Sequence, residues 1–564
     1  MLDLYQSYLD LNDPPAEGPS GEVAVEGVQH GEVFTRRWIV ELILDLVGYT
    51  PDRDLAAMKI VEPACGPGAF LKPIVERLCE SCRRHARSLL GTRDAVRGMD
   101  LLTRNINASR RLVEDVLVEH GCPPEEARLL AADWINQGDF LLRQPDALAA
   151  DFVVGNPPYV RLEHVPDERM RAYRRSCPTM TGRADLYVGF VEMGLRSLKP
   201  GGGLGFICAD RWMHNQYGRR LRQFIADGFS LDTTISMHDV DAFEEQVSAY
   251  PAVSVLRRAS QATAVVAEAT QGFGPGEAKA LTSWILNSEA EPIETGHFRA
   301  ARLPHWFSGH DAWPEGSPER LALVEDLADR FPPLEDSATG TKVGIGVATG
   351  ADDVFVTTKS AIVEVERLLP LAMVRDTSSG TLQWSGHYLI NPWDENRRLV
   401  ELTHYPRLRD YYESNATKLH KRHVAARRPD SWYRTIDKVD HKLTARPKLL
   451  FPDMKRRIHP VLDVGGHYPH HNLYFVVSDT WDLRVLGGLL LSRVANAFVE
   501  AYAVRMRGGT LRFQAQYLRR IRVPQQSAIS PSDAQALANA FERRDVDVAT
   551  EVALRLYGLE RLPR

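Results

Sequence analysis

The sequence predicts an α/β protein: a doubly wound parallel sheet finished by an antiparallel hairpin, then a C-terminal α+β domain. Three observations carry this reading. Short apolar runs alternate with helical patterns between residues 58 and 208, as in successive βα units. Two further runs, 231–235 and 252–256, suit a closing hairpin. Past residue 330 the pattern changes to short strand-like runs, frequent turns and few long amphipathic helices before Leu483.

The elements follow in order. Residues 1–25 read as a flexible leader, because Asn12-Asp13-Pro14-Pro15 and Gly18-Pro19-Ser20-Gly21 are turn formers. A helix is expected over 31–47, with Thr35 as N-cap ahead of Trp38, Ile39, Leu42, Ile43 and Leu46. Strands are expected at 58–61, 95–99, 129–132, 152–154 and 204–208, and helices at 70–90, 105–118 and 187–198. The small, polar, glycine-rich segment 258–276 opens a boundary region. The domains are therefore placed at 26–300 and 301–564. In the second, 343–347, 354–356 and 473–477 read as strands and 534–556 as a helix.

Composition narrows the class. The 564 residues are 44% hydrophobic, 25% charged and 8% aromatic, which excludes a disordered or fibrous chain. No apolar run reaches the 18 residues a membrane span needs. The N-terminus carries acids and prolines without a basic and then apolar signal pattern, so a cytoplasmic location is expected. All six cysteines fall at or before Cys208, which does not make a disulfide framework. Cys79 and Cys82 form a lone C-x-x-C in a helical pattern, and no metal site is expected. The net charge of −5 hides a local shift: from 401 to 460, 15 lysines and arginines stand against seven acids, with Trp432 and Tyr433 among them. Such a stretch is either a solvated face or a surface for an anionic partner.

Ligands of open α/β sheets bind beyond the carboxyl ends of the strands. After the first strand stands Glu62-Pro63-Ala64-Cys65-Gly66-Pro67-Gly68-Ala69-Phe70. Its glycines permit close backbone approach. It is neither G-x-G-x-x-G nor a P-loop, so a pyrophosphate is disfavoured. Asp100 follows the second strand, placed for a ribose, and Asp139 with Phe140 follows the third, an acceptor beside an apolar face. One such residue set per strand describes a pocket for a nucleoside without phosphates, S-adenosylmethionine being the obvious candidate. After the fourth strand comes Asn156-Pro157-Pro158-Tyr159. The Asn156 side-chain oxygen and the Pro157 carbonyl can accept both hydrogens of an aromatic amine and so localise its lone pair. Prolines preorganise the loop, and Tyr159 offers a ring for a planar base.

At these residues the chain resembles the gamma-class, TaqI-like N6-adenine DNA methyltransferases of restriction–modification systems. The resemblance covers about 30 to 525. Gly31-Glu32-Val33-Phe34-Thr35 resembles the motif preceding the cofactor site, although Arg36-Arg37 stands where the family has two prolines. The segment from Val61 to Gly68 is similar to motif I, Gly98-Met99-Asp100 to motif II, Gly138-Asp139-Phe140-Leu141 to motif III and Asn156–Tyr159 to motif IV. Asp185-Leu186-Tyr187, Phe190 and Glu192 resemble motif V. The resemblance implies a class I methyltransferase sheet with a target-recognition domain. It implies S-adenosylmethionine held by Thr35, Glu62, Ala64, Gly66, Gly68, Asp100, Asp139 and Phe140, with Asn156, Pro157, Pro158 and Tyr159 catalytic. Phe243 resembles the aromatic that helps hold a flipped adenine. Trp432, Arg505 and Arg512 are expected to face the target. Double-stranded DNA, a cognate restriction endonuclease and a monomeric enzyme are the implied partners and state.

Other readings are kept beside it. Loops of this kind also serve RNA-base and protein-glutamine methylation, and an RNA adenine methyltransferase is the alternative. A specificity factor without catalysis conflicts with the intact loop. Pro429-Asp430 followed by Asp453-x-Lys455, or by Asp440-x-Lys442, loosely fits metal-dependent nucleases without their structural context.

Overall fold

The computed structural model describes residues 33–563 apart from 146–147, 246–249, 305–308, 315, 504 and 507–509. The leader 1–25 and Gly31-Glu32 lie outside the described residues. The chain divides into two compact units, up to Ala322 and from Leu323 onward.

The first unit is built on one ten-stranded mixed sheet: β1 (Ile60–Glu62), β2 (Val96–Asp100), β3 (Ile135–Gln137), β4 (Ala150–Gly155), β5 (Leu198–Ala209), β6 (Ser230–Ser236), β7 (Pro251–Arg257), β8 (Ala264–Ala269), β9 (Ile293–Glu294) and β10 (Phe298–Leu303). The spatial order is β3-β2-β1-β4-β5-β7-β6-β8-β10-β9. The first five pair in parallel, and β7 runs antiparallel to both β5 and β6. Chain order reverses between β1 and β4, so a crevice opens at their carboxyl ends. Alternate residues face two different cores. Ile60, Phe152 and Val154 join one with helices α1 (Arg37–Val47), α2 (Leu71–Arg84), α3 (Thr103–Glu119) and α4 (Pro124–Trp134). Val61, Val153 and Phe206 join the other with α5 (Asp167–Ser176), α6 (Leu186–Arg196) and α7 (Arg219–Gly228). Helices on both faces explain why β4 is apolar almost throughout.

Three expectations are corrected here. Residues 129–132 belong to α4, and the third strand is Ile135–Gln137. Pro124 opens that helix with Glu125 and Glu126 in its first turn, and Ala127, Leu130, Ala131 and Trp134 bury one helical face. Thr35 is not an N-cap: Arg36 holds that position without a side-chain bond. β8 lies within the segment 258–276 and extends the sheet through β6 and β10, and the boundary expected between that segment and about 330 does fall in that interval. The division falls after Ala322, whereas a cut at 300 would split β10.

Among the described residues the second unit carries three small sheets of four, four and three strands. β11 (Lys342–Ile345) pairs with β19 (Leu473–Val477), which pairs with β15 (Lys448–Pro452) and that with β17 (Val461–Asp463). β12 (Val356–Thr357), β14 (Tyr388–Ile390), β13 (Leu368–Ala372) and β18 (Tyr468–Pro469) form the second. β16 (Met454–Lys455), β21 (Thr510–Arg512) and β20 (Arg505–Met506) form the third. Inside the first, the Lys448 ammonium meets Asp463 at 2.9 Å with both side chains almost fully buried. The expected run at 354–356 is mostly helix, Asp352–Phe355. The expected helix 534–556 is two, Pro531–Arg543 and Val546–Tyr557, separated where Arg544 turns left-handed and Asp545 caps the second. Among the described residues no single helix is long and apolar enough to cross a membrane.

Candidate active site

A cavity of about 550 Å³ opens over the carboxyl ends of β1, β2 and β4. It is lined by Thr35, Glu62, Ala64, Gly66, Asp100, Asp139, Phe140, Asn156 and Pro158. The structure thus brings together most of the residues expected at the cofactor and catalytic positions. Gly68 and Pro157 sit in the same loops without lining it.

The floor is the turn after β1. The Gly66 amide donates to Asp100 Oδ2 at 2.9 Å, and the Ser109 hydroxyl donates to the Gly66 carbonyl at 2.8 Å. Gly66 has φ +51° and Gly68 φ +108°, a region that favours glycine. A Cβ at Gly68 would also meet Leu112 Cδ2 at 2.5 Å. Asp100 Oδ1 accepts from the Leu102 amide at 2.8 Å and the Asn105 carboxamide at 3.2 Å. Asp100 is therefore a brace for the glycine turn as well as a cavity wall. Glu62 is 2% exposed, and its Oε2 has no hydrogen-bond partner among the described residues. Burial, and then the Asp100 charge, push its carboxyl well above the usual range.

The far wall comes from the third and fourth strand ends. Phe140 stacks on Phe190 at 5.6 Å between centroids and 28° between planes. Asp139 Oδ2 accepts from the Tyr173 hydroxyl at 2.8 Å, and Oδ1 from the Leu141 amide at 3.2 Å. Tyr173 lines the cavity with His164 and Arg169. These three stand in or beside α5, in the insertion after the Asn156–Tyr159 loop, and no spacing rule marks them in advance.

At the mouth, the Asn156 Nδ2 group donates to the Val33 carbonyl at 2.9 Å and the Thr35 hydroxyl at 3.2 Å. The Val33 carbonyl can only accept, so it fixes which end of the carboxamide is nitrogen. Among the described residues Asn156 Oδ1 is left buried and unpartnered. Tyr159 packs edge-on against Phe243, with centroids 6.3 Å apart and planes at 84°. Its buried hydroxyl is also unpartnered, and burial pushes that hydroxyl well up. Phe243 is tied to the Asn156 side by a backbone bridge with Thr35 and by the Glu244 amide donating to the Phe34 carbonyl at 2.9 Å. The arrangement offers a fixed acceptor beside two aromatic rings, next to a cavity with an unpartnered carboxylate oxygen.

The remaining candidates lie in the second unit. Trp432 is half-buried and stacks on His420 at 4.8 Å within an apolar cluster. Arg512 is held by Asp453 at 2.8 Å. Arg505 lies on β20, and its side chain is outside the described residues. Of the basic stretch, Lys421, Arg427, Arg428, Lys438, Arg456 and Arg457 are exposed, whereas Lys448 is buried. The nuclease-like acids do not form a site: Asp453 pairs with Arg512, and Asp440 caps the helix His441–Ala445.

Comparison with known proteins bears on this site. A family model described as Eco57I restriction-modification methylase matches residues 125–243. The type II methyltransferase M.PaeR7I of Pseudomonas aeruginosa is 42% identical over 554 residues, covering 97% of this chain and 95% of its own. The chain belongs to the type II methyltransferases of restriction–modification. M.XhoI of Xanthomonas vasicola is 41% identical over 95% of this type II methyltransferase and 98% of its own length. M.BstVI of Geobacillus stearothermophilus is 38% identical over 94% and 96%. The type IIL restriction-modification enzyme MmeI, solved with DNA, shares the fold at TM-score 0.53 and 11% identity, over 100% of this chain and 75% of that one. The RNA-base reading finds no support in these relatives. The family match spans α4 to Phe243 and so contains both the Asn156–Tyr159 loop and the aromatic facing it.

Proposed function

We propose that this type II methyltransferase transfers a methyl group from S-adenosylmethionine to N6 of an adenine flipped out of duplex DNA. The observation that carries the reading is the Asn156 carboxamide, locked by Val33 and Thr35 so that its unpartnered Oδ1 is the acceptor beside Tyr159 and Phe243.

The residues present fit such a cofactor. The unpartnered Glu62 Oε2 belongs to a carboxyl that an ammonium group would pair and draw into its ionised form, the positive-φ glycine turn leaves backbone room, and the Phe140–Phe190 stack walls an apolar slot for a base. The cavity volume falls in the range of small-ligand sites. When bound, the cofactor supplies a methyl on a sulfonium, an electrophile that needs no metal. Asn156 Oδ1 and the Pro157 carbonyl accept the two amine hydrogens and turn the nitrogen lone pair out of the ring. Tyr159 and Phe243 hold the base plane. Positioning of the two reactants supplies the rest. The exposed cations of the second unit, Arg427 and Arg428 among them, suit phosphate contacts, and that unit reads the target sequence. The enzyme works as a monomer in the cytoplasm and protects sites that a cognate endonuclease would cut.

The deciding experiment is transfer of labelled methyl to unmethylated plasmid DNA, with sequencing that detects N6-methyladenine. Modification at one short recurring motif is expected. Methyl on cytosine, or none on DNA while RNA accepts label, overturns the reading.

A further inference from the structure

We propose that the second unit holds a divalent cation of the zinc class on His470 and His471, with Asp352 orienting the His470 imidazole. Nothing in the methyl-transfer chemistry uses these residues. Their ligand atoms all lie within 4.8 Å of one another, and the two imidazole rings approach to 4.1 Å between centroids. Such proximity of consecutive residues is not what an extended strand produces, because alternate side chains point to opposite faces. Here the chain leaves β18 and turns before β19, with His471 amide donating to the Val347 carbonyl at 3.1 Å and His470 amide to Ala372 at 3.0 Å.

The protonation pattern is the second observation. His470 is 4% exposed, and its Nε2 bonds Asp352 Oδ2 at 2.9 Å. A carboxylate can only accept, so Nε2 carries a hydrogen, which leaves Nδ1 as the acceptor nitrogen of the neutral imidazole. Among the described residues that Nδ1 is buried and has no partner, and the same holds for the Nδ1 of His471. Two buried imidazole nitrogens without partners, on rings this close, are costly unless something pairs with them. A carboxylate that orients one imidazole for a metal is a recurring arrangement. Nitrogen ligands from two histidines select zinc-class ions over magnesium or calcium, which take oxygen sets.

Such an ion would, through the His470–Asp352 hydrogen bond, staple the opening segment of the unit, at Asp352, to the turn before β19, 118 residues later. Gly346 already passes so close that a Cβ there would lie 2.2 Å from the His470 carbonyl oxygen. Metal binding at this crossing stabilises the folded unit by mass action.

The test uses tag-free, full-length protein stripped with chelator, then titrated with zinc chloride and, separately, cobalt chloride. The expected result is one zinc per chain by elemental mass spectrometry, a visible cobalt ligand-field band, and a rise of a few degrees in unfolding temperature. His471→Ala, and the gentler Asp352→Asn, which still accepts from His470, should each weaken binding by about tenfold or more. Absence of zinc uptake and of a cobalt band overturns the proposal and leaves Asp352–His470 a hydrogen-bonded core pair. Uptake unchanged in both variants also overturns it, by placing the ion elsewhere, for instance at Cys79 and Cys82.

Discussion

Thr35 holds Asn156. The Thr35 hydroxyl accepts from the carboxamide nitrogen at 3.2 Å while the Val33 carbonyl accepts from the same nitrogen at 2.9 Å. Thr35 also lines the cavity and bridges to Phe243 through its backbone. One residue thus links the cavity, the Asn156 carboxamide and the aromatic wall. Thr35→Val keeps the shape and removes the acceptor. A neutral hydrogen bond contributes about 1 kcal/mol, so the single-turnover methylation rate should fall about fivefold with S-adenosylmethionine affinity nearly unchanged. An unaltered rate would show that Val33 alone orients the carboxamide.

Asn156→Ala removes the fixed acceptor altogether. By analogy with loss of one oxyanion-hole donor, transfer should drop by about 10²–10³ or more. Calorimetric binding of S-adenosylmethionine should persist. Near-normal turnover in this variant would sink the proposed role.

Glu62 makes the unliganded protein sensitive to pH. Its folded-state carboxyl titrates well above its ordinary value of 4.5 because of burial first and Asp100 second. The folded state therefore binds that proton more tightly than the unfolded state. The associated stability is full at low pH and is lost as pH rises from 4.5 through the raised value. Glu62→Gln should flatten this fall in thermal unfolding followed from acid to neutral pH, and it should weaken cofactor binding at neutral pH. A variant whose unfolding temperature tracks the parent at every pH contradicts the assignment.

Gly68→Ala places a Cβ at positive φ and 2.5 Å from Leu112 Cδ2. The expected cost is about 1–3 kcal/mol, read by denaturant unfolding of the first unit. Cofactor affinity should fall with it, because the neighbouring Gly66 turn forms the cavity floor.

In the second unit, Lys448 and Asp463 are buried together, with Lys448 Nζ also donating to the His467 carbonyl at 3.1 Å. Lys448→Met strands the Asp463 charge and should destabilise by about 3–5 kcal/mol. The double variant Lys448→Met with Asp463→Leu should recover most of the loss. Equal losses in the single and double variants would mean that the packing, not the pairing, matters there.

Local chemistry in the sequence was enough to find the strand-end residues of the first unit. Glu62, Asp100 and Asn156 each close a short apolar run, Asp139 follows the polar strand Ile135–Gln137, and a parallel sheet delivers such ends to one edge. The same reasoning misread 129–132, because a four-residue apolar run fits either a strand or one face of a helix. The distinguishing signs, Pro124 and the burial of Ala127 and Trp134, lie outside that run. It also missed β8, whose small residues Ala264, Ala267 and Ala269 look like linker but are buried by neighbouring strands.

What the sequence determined by itself was the order of the βα units, the glycine turn, and the Asn156–Tyr159 loop, since these depend on residue type and near neighbours. Only the tertiary structure decided the state of each polar atom. Thr35 and Asn156 are 121 positions apart, Asp139 and Tyr173 34, and Asp352 and His470 118. Whether an acceptor is spent or left bare depends on which distant donor the folded chain carries to it, and no local pattern encodes that meeting.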